Sequence, residues 1–243
     1  MITIIGRGHS GTRAISHTLS QSGVYMGADL NVSGDLVPPG DMYEACRIFG
    51  TYVEHKDGLE WDFSKVTDPS VPIDPAFTKL IESYLASVLS HDGDPKGWKI
   101  PETTLCYPWI QRLFPDINYI FWIRNPRDCI IGGHVTDDMR DFNVDYPTTD
   151  DERMKRAISW KYQYDLVKAT PLPKKWTEVR FEDFVLRQDD TLAKLKDYLG
   201  FDLAKIEVRP DATTRWKSDE GVNYFDFFAP AMKQYGYEAP VEA

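Results

Sequence analysis

The chain has 243 residues, 42% of them hydrophobic, enough for one sizeable core, and it reads as a single domain over residues 1–243. Its net charge of −10 argues against a protein that holds nucleic acid or a polyanion by its overall field, so any anion has to be gripped locally. There is neither a basic, apolar leader nor a run of about 18 apolar residues, so export and membrane insertion are not expected; Cys46, Cys106 and Cys129 suggest neither a disulfide framework nor a zinc site and fit a reducing cytoplasm.

Residues 2–5 form a short β-branched run ending at Gly6, and from Thr12 to Leu19 the pattern turns helical, which predicts strand, glycine loop and helix. Residues 1–28 carry Arg7, His9, Arg13 and His17 but no Asp or Glu. The loop Gly6-Arg7-Gly8-His9-Ser10-Gly11-Thr12-Arg13 can therefore aim backbone N–H groups and a helix N-terminus at an anion. As a Walker loop it lacks both the lysine, replaced by Thr12, and the metal-binding hydroxyl, replaced by Arg13. As a dinucleotide fingerprint it has the glycine spacing, with Asp29 at a distance suited to a ribose. A tight glycine turn without a ligand is the plain alternative.

A second helix is expected at 42–56, where Ala45, Ile48, Phe49, Tyr52 and Val53 share a face. A third starts at Asp74-Pro75 and carries an apolar stripe from Phe77 to Leu89. A short strand at Trp98–Ile100 and a helix reaching Leu113 follow, then Asn118–Arg124, a dense apolar strand of the kind buried in a parallel sheet. Arg124 ends that strand, facing the ligand crevice, where its planar fork suits a phosphate; pairing with Asp128 to close the turn is the other reading. Beyond a helix at 126–135, the segment Asp137 to Glu152 holds seven acids in sixteen residues and reads as a solvated loop or lid. A helix at 153–168, a strand at 176–181 and a helix closed by Gly200 complete the pattern. Strands alternating with helices imply an α/β fold with three layers: a central, mostly parallel sheet, helices on both faces, and ligands at the carboxyl ends of the strands.

The sequence resembles the PAPS-dependent sulfotransferases, especially their bacterial and carbohydrate-type branch, over nearly its whole length. Gly8-His9-Ser10-Gly11-Thr12 is similar to the family's 5′-phosphosulfate loop and Arg124-Asn125-Pro126-Arg127-Asp128 to its 3′-phosphate motif. Lys99-Ile100-Pro101 with Leu113-Phe114-Pro115-Asp116, and Val179-Arg180-Phe181-Glu182-Asp183-Phe184 with Leu192 to Gly200, resemble the segments around them. The resemblance implies a P-loop NTPase-like fold without metal, in which a sulfuryl group passes from PAPS to a hydroxyl or amine of a small-molecule or carbohydrate acceptor. Ser10, Gly11 and Thr12, flanked by Gly8 and Arg13, would hold the 5′-phosphate, and Arg124 the 3′-phosphate. His9 would stabilise charge on the leaving phosphate. Where the family has a serine eight residues after this arginine, the sequence has Gly132, leaving His134 or Arg215-Trp216-Lys217 to replace the contact. Arg215-Trp216-Lys217 resembles a loop that closes over the donor. Glu44 is the expected base, Glu102 the reserve, and Lys99 is expected to contact acceptor or leaving group. A nicotinamide-binding oxidoreductase and a non-catalytic PAP-binding protein are the competing readings. Acceptor identity and oligomeric state are not written in the sequence.

Overall fold

The computed structural model of the protein describes residues 1–237. The chain opens with β1 (Ile2–Ile5) and α1 (Thr12–Gln21), then runs through α2 (Gly40–Gly50), a small hairpin of β2 (Glu54–His55) and β3 (Trp61–Asp62), and the single turn α3 (Ser64–Thr67). Next come α4 (Pro75–Tyr84), α5 (Ala86–Leu89), β4 (Gly97–Trp98), a 3₁₀ turn at Pro101–Cys106, α6 (Tyr107–Leu113) and β5 (Asn118–Ile123). The short α7 (Pro126–Cys129), the long α8 (Glu152–Ala169), β6 (Trp176–Arg180), α9 (Phe181–Leu186), α10 (Gln188–Leu199) and α11 (Ala229–Tyr235) follow.

Four strands form one parallel sheet in the order β4-β1-β5-β6, with Ile4 opposite Ile120 and Ile5 opposite Phe121. Alternation along β1 and β5 divides the core. Ile5, Tyr119, Phe121 and Ile123 pack with Phe49 of α2, Phe77 and Ile81 of α4, Trp109 of α6 and Tyr162 of α8. Ile2, Ile4, Ile120 and Trp122 pack on the opposite face with Ile15 and Leu19 of α1, Phe184 of α9, and Leu192 and Leu195 of α10. The sheet is therefore covered on both faces, the expected three-layer α/β arrangement. The outer edge of β6 meets the end of the described chain: Lys194 Nζ donates to the Glu178 carbonyl at 2.7 Å and Tyr235 Oη to Glu178 Oε2 at 3.2 Å.

The local signals act where expected at α4, whose Asp74 accepts from the Ala76 amide at 2.8 Å with Pro75 in the first turn. Its apolar stripe breaks at Leu85 into α4 and α5. The helix expected over 42–56 stops at Gly50, and residues 54–55 pair in the hairpin instead. The helix expected over 126–135 lasts one turn, since Gly132-Gly133 gives up helix propensity where backbone approaches the loop after β1. The acidic segment is a loop solvated along its charged side and packed along the other. Phe142, Val144 and Tyr146 are buried at every second position, while Asp141, Asn143 and Asp145 between them stay exposed. Among the described residues, no helix is long and apolar enough to cross a membrane, and no cluster of His, Cys, Asp or Glu is placed to hold a metal ion.

Candidate active site

The loop after β1 turns back on itself at the carboxyl end of the sheet. The Gly6 amide donates to Thr104 Oγ1 at 2.9 Å, and the Ser10 amide and hydroxyl both donate to the Arg7 carbonyl, at 3.2 and 2.6 Å. His9 (φ 62°) and Gly11 (φ 87°) lie in the left-handed region, which turns the chain so that Gly11 opens α1 with no side-chain cap. Among the described residues, no hydrogen bond leads from the amides of Gly8, His9, Gly11, Thr12 or Arg13. Five such donors, two in the loop and three at the N-terminus of α1, are the groups with which a chain can hold an anion. Ser10 contributes its backbone position; its hydroxyl faces inward, onto Arg7.

The segment after β5 locks this loop in place. Arg7 is buried, donating through Nη1 to the carbonyls of Gly8 and Cys129, both at 2.9 Å, and through Nη2 to Asp137. A Cβ on Gly8 would stand 2.3 Å from the His134 ring, and one on Gly132 would stand 2.9 Å from the His9 ring. The two glycines admit two opposed imidazoles, in edge contact with centroids 5.8 Å apart. His9 Nε2 lies 2.6 Å from the Gly133 carbonyl.

Arg124 sits at the strand end as expected and is only 5% exposed. Both readings of it have a counterpart in the fold. Its guanidinium lies 3.6 Å from Asp128 and stacks over Phe181 at 4.5 Å, while Nη1 donates to the His9 carbonyl at 2.9 Å and Nη2 to that of Ala212. Nε is buried without a partner. To grip a phosphate, the fork would have to exchange carbonyls for phosphate oxygens. The backbone beside it is fixed from below, since Glu182 Oε1 accepts from the Asn125 amide at 2.9 Å and Asn125 caps α7.

Arg215-Trp216-Lys217 is brought to this motif. The Trp216 amide donates to Asp128 at 3.0 Å, Arg127 stacks on the Trp216 ring at 3.5 Å, and Lys217 lies 5.3 Å from it. Arg215 is near enough to act on the charge of both His9 and Asp128.

On the other side of the loop stands a cluster the sequence showed only in part. Lys99, 2% exposed, donates to the Ser33 carbonyl at 2.9 Å and to Asp35, and Arg13 donates to Ser33 Oγ at 3.0 Å. Asp35 is half-buried and takes a second hydrogen bond from Asn31 Nδ2 at 2.9 Å. Burial lowers the pKa of Lys99, opposed by Asp35. Glu102 is buried beside the pair, and burial raises it to about 7, with Asp35 pushing the same way. Glu44 lies apart from these contacts, on the outer side of α2 with a side chain 57% exposed and paired with Arg47. Asp29 sits in an exposed loop, so the ribose-binding acid of a dinucleotide fingerprint has no strand beneath it. No sequence signal tied Asp35 to Lys99, because their pairing is made by the fold alone.

Burial takes the pKa of His134 from 6.5 down to about 3, with Arg7 and His9 pushing the same way. The folded chain thus binds this proton more weakly than the unfolded one, so the contribution is complete above 6.5 and shrinks as pH falls toward 3. Melting profiles from about pH 7.5 to about 4.5 should show a steeper acid decline for the wild type than for His134→Asn, and equal slopes would refute this.

A cavity of about 360 Å³ bounded by Glu178, Arg180, Lys194 and Tyr235 shares no residue with the loop, while a space of about 30 Å³ beneath it is lined by Arg7, Ser10, Thr104 and Arg124. The loop amides and the charged side chains around them, rather than cavity size, single out the candidate site.

The fold is similar to that of a sulfotransferase domain from the curacin biosynthetic pathway, with a TM-score of 0.59 and 13% identity over 99% of this chain and 98% of that one. It is also similar to a sulfotransferase from Alicyclobacillus acidocaldarius, with a TM-score of 0.51 and 15% identity over 98% and 96%. None of the curated proteins matches the sequence. At such identities structural likeness speaks for the fold, here the P-loop-like α/β fold of sulfotransferases. The sequence itself matches the family described as "Sulfotransferase family" over residues 2–205, from β1 past the end of α10 and so through the loop, the Arg124 motif and Lys99: the chain belongs to the sulfotransferase family.

Proposed function

We propose that the protein transfers a sulfuryl group from PAPS to a hydroxyl or amine of a small-molecule or carbohydrate acceptor, in the reducing cytoplasm where its three free thiols are at home. The observation that carries the reading is the direct link between two anion grips. The unpaired loop amides and the Arg124 fork meet at His9, whose carbonyl accepts from Arg124. A nucleotide phosphorylated at both 3′ and 5′ positions engages both grips; a 5′-nucleotide engages one. The buried, unpartnered Nε of Arg124 and the five free amides fit such a ligand.

PAPS supplies the activated sulfuryl group when bound. Gly8 to Arg13 hold the 5′-phosphate through backbone amides and the N-terminus of α1, Arg124 holds the 3′-phosphate, and Arg215-Trp216-Lys217 closes the donor side over Asp128. A protonated His9 adds positive charge beside the loop; burial lowers its pKa, with Arg7 and Arg215 pushing the same way, and a phosphate dianion would reverse that. Three carboxylates compete to take the acceptor's proton. Glu102 is 2% exposed and out of an acceptor's reach; Glu44 points outward and is held by Arg47. Asp35 is half-buried, oriented by Lys99 and Asn31, and joined to α1 through Ser33 and Arg13, so we assign it the base.

Thermal shift tests the donor. PAP at about a hundred times its dissociation constant should add roughly 2.7 kcal/mol of stability, a shift of several degrees, with 5′-AMP, ATP and NADH giving much less. Equal stabilisation by 5′-AMP removes the 3′-phosphate grip, and a larger shift with NADH points to the oxidoreductase. PAP binding without turnover on any hydroxyl or amine acceptor leaves a silent binder.

A further inference from the structure

We infer that the small space beneath the loop after β1 is a binding site for one internal water, held between Nε of Arg7 and Oε1 of Gln163, with Nε of Arg124 as a third partner while no phosphate claims it. The space measures about 30 Å³, more than the roughly 10–15 Å³ that a single water needs and too little for an organic ligand. Its walls are unlike those of a dry cavity. Arg7, Arg124 and Gln163 all border it and are 4%, 5% and 2% exposed. Each keeps one buried side-chain atom, Nε, Nε and Oε1, without a hydrogen-bond partner among the described residues. A polar atom buried and left alone is costly, and a bound water satisfies all three at once.

The other contacts of these side chains fix which atoms are left over. Arg7 commits both terminal nitrogens, Nη1 to the carbonyls of Gly8 and Cys129 and Nη2 to Asp137. Gln163, on α8, turns Nε2 toward Ser159 Oγ at 3.0 Å and Thr136 Oγ1 at 3.3 Å. The Ser159 hydroxyl gives its own hydrogen to the Thr136 carbonyl at 2.8 Å, so it accepts from the glutamine, and Oε1 is the atom at the other side of the amide. Arg124 reaches the same place from β5: Nη1 donates to the His9 carbonyl, two residues from Arg7, and the Arg124 carbonyl accepts from Cys129 Sγ at 3.8 Å. Two donors and one acceptor select water over an anion. A halide would accept from both arginines but has nothing to give Oε1, whereas a water accepts from the Nε groups and donates to the glutamine. The water thereby ties the loop to the end of β5 and to α8, and its hold on Arg7 and Gln163 persists when a nucleotide takes Arg124.

Crystals of the wild-type protein grown without nucleotide and with PAP test the site, together with bromide soaks and the variants Gln163→Met and Gln163→Glu. One ordered water within about 3.2 Å of Arg7 Nε and Gln163 Oε1 is expected in both crystals, and within the same distance of Arg124 Nε in the nucleotide-free one. In solution the Arg7 Nε–H proton should give a rotating-frame cross-peak to a long-lived water. Gln163→Met keeps the length of the side chain but removes the acceptor, so it should lose both the water and the cross-peak. Gln163→Glu keeps an acceptor and should retain both. An anomalous bromide peak in the space assigns it to an anion and overturns the inference. So do side chains that close on one another with no water between them, and so does a water that Gln163→Met retains at full occupancy. Melting temperatures show which variants fold, and the wild-type crystal decides even where neither does. The nucleotide-free crystal also decides if PAP does not bind, a result that overturns the donor reading instead.

Discussion

Arg124→Ala should abolish measurable PAP binding and also lower the melting temperature by on the order of 10 °C. The second effect follows from Asp128, which is 0% exposed, lies 3.6 Å from the guanidinium, has an Oδ2 without a hydrogen-bond partner among the described residues, and loses its buried counter-charge once the arginine is gone. Breaking a buried pair from one side costs about 3–5 kcal/mol, and in a chain this size each kcal/mol is worth roughly 2–4 °C. Burial already raises the pKa of Asp128, with Arg124 the leading influence in the opposite direction, so the variant should take up a proton there and recover part of its loss at lower pH. Arg124→Ala together with Asp128→Ala separates the two effects. The double variant should regain stability without regaining PAP. Full retention of PAP affinity in a folded Arg124→Ala protein would remove the arginine from the donor site.

Asp35→Asn should reduce turnover at least about a hundredfold while PAP affinity stays within about threefold of wild type. The amide keeps the shape and the Asn31 contact but cannot accept a proton, and Asp35 makes no contact with the loop amides. Lys99 loses its counter-charge in a buried site, so a loss of stability is also expected, and turnover is to be compared at a temperature where the variant is folded. Glu44→Gln and Glu102→Gln are the matched comparisons. Collapse of turnover in Glu44→Gln with near-normal Asp35→Asn returns the base to the helix residue that the sequence suggested. Collapse only in Glu102→Gln, with an acid limb in the rate profile near pH 7, moves it to the buried carboxylate.

The parts of the fold legible in the sequence were those encoded locally. The glycine loop after β1, the capped start of α4, the buried strand β5 and the closing Gly200 each carry their own signal within a few residues. The short reach of α7 was legible only in part, because a helical apolar pattern continues to Val135 while Gly132-Gly133 weakens it, and the close approach of Gly132 to His9 is made by the fold alone. The acidic segment was likewise legible only in part. Its charge count hides a period-two apolar pattern at Phe142, Val144 and Tyr146. At the candidate site, loop and arginine were readable as motifs, but Arg7–Asp137 and Lys99–Asp35 join residues 130 and 64 positions apart, and no spacing rule reaches that far.

The contact between Glu178 on β6, Lys194 on α10 and Tyr235 on α11 bears on how this molecule behaves in a crowded solution. A parallel sheet of four strands has two edges, and an edge strand with free backbone groups invites a strand from another chain. Here one carbonyl of the β6 edge is taken by a lysine, and a tyrosine from the C-terminal helix lies against the neighbouring side chain. The same stretch of chain that presents Trp216 to Asp128 continues into that helix, so ordering of the donor side and protection against edge-to-edge aggregation depend on one segment being in place.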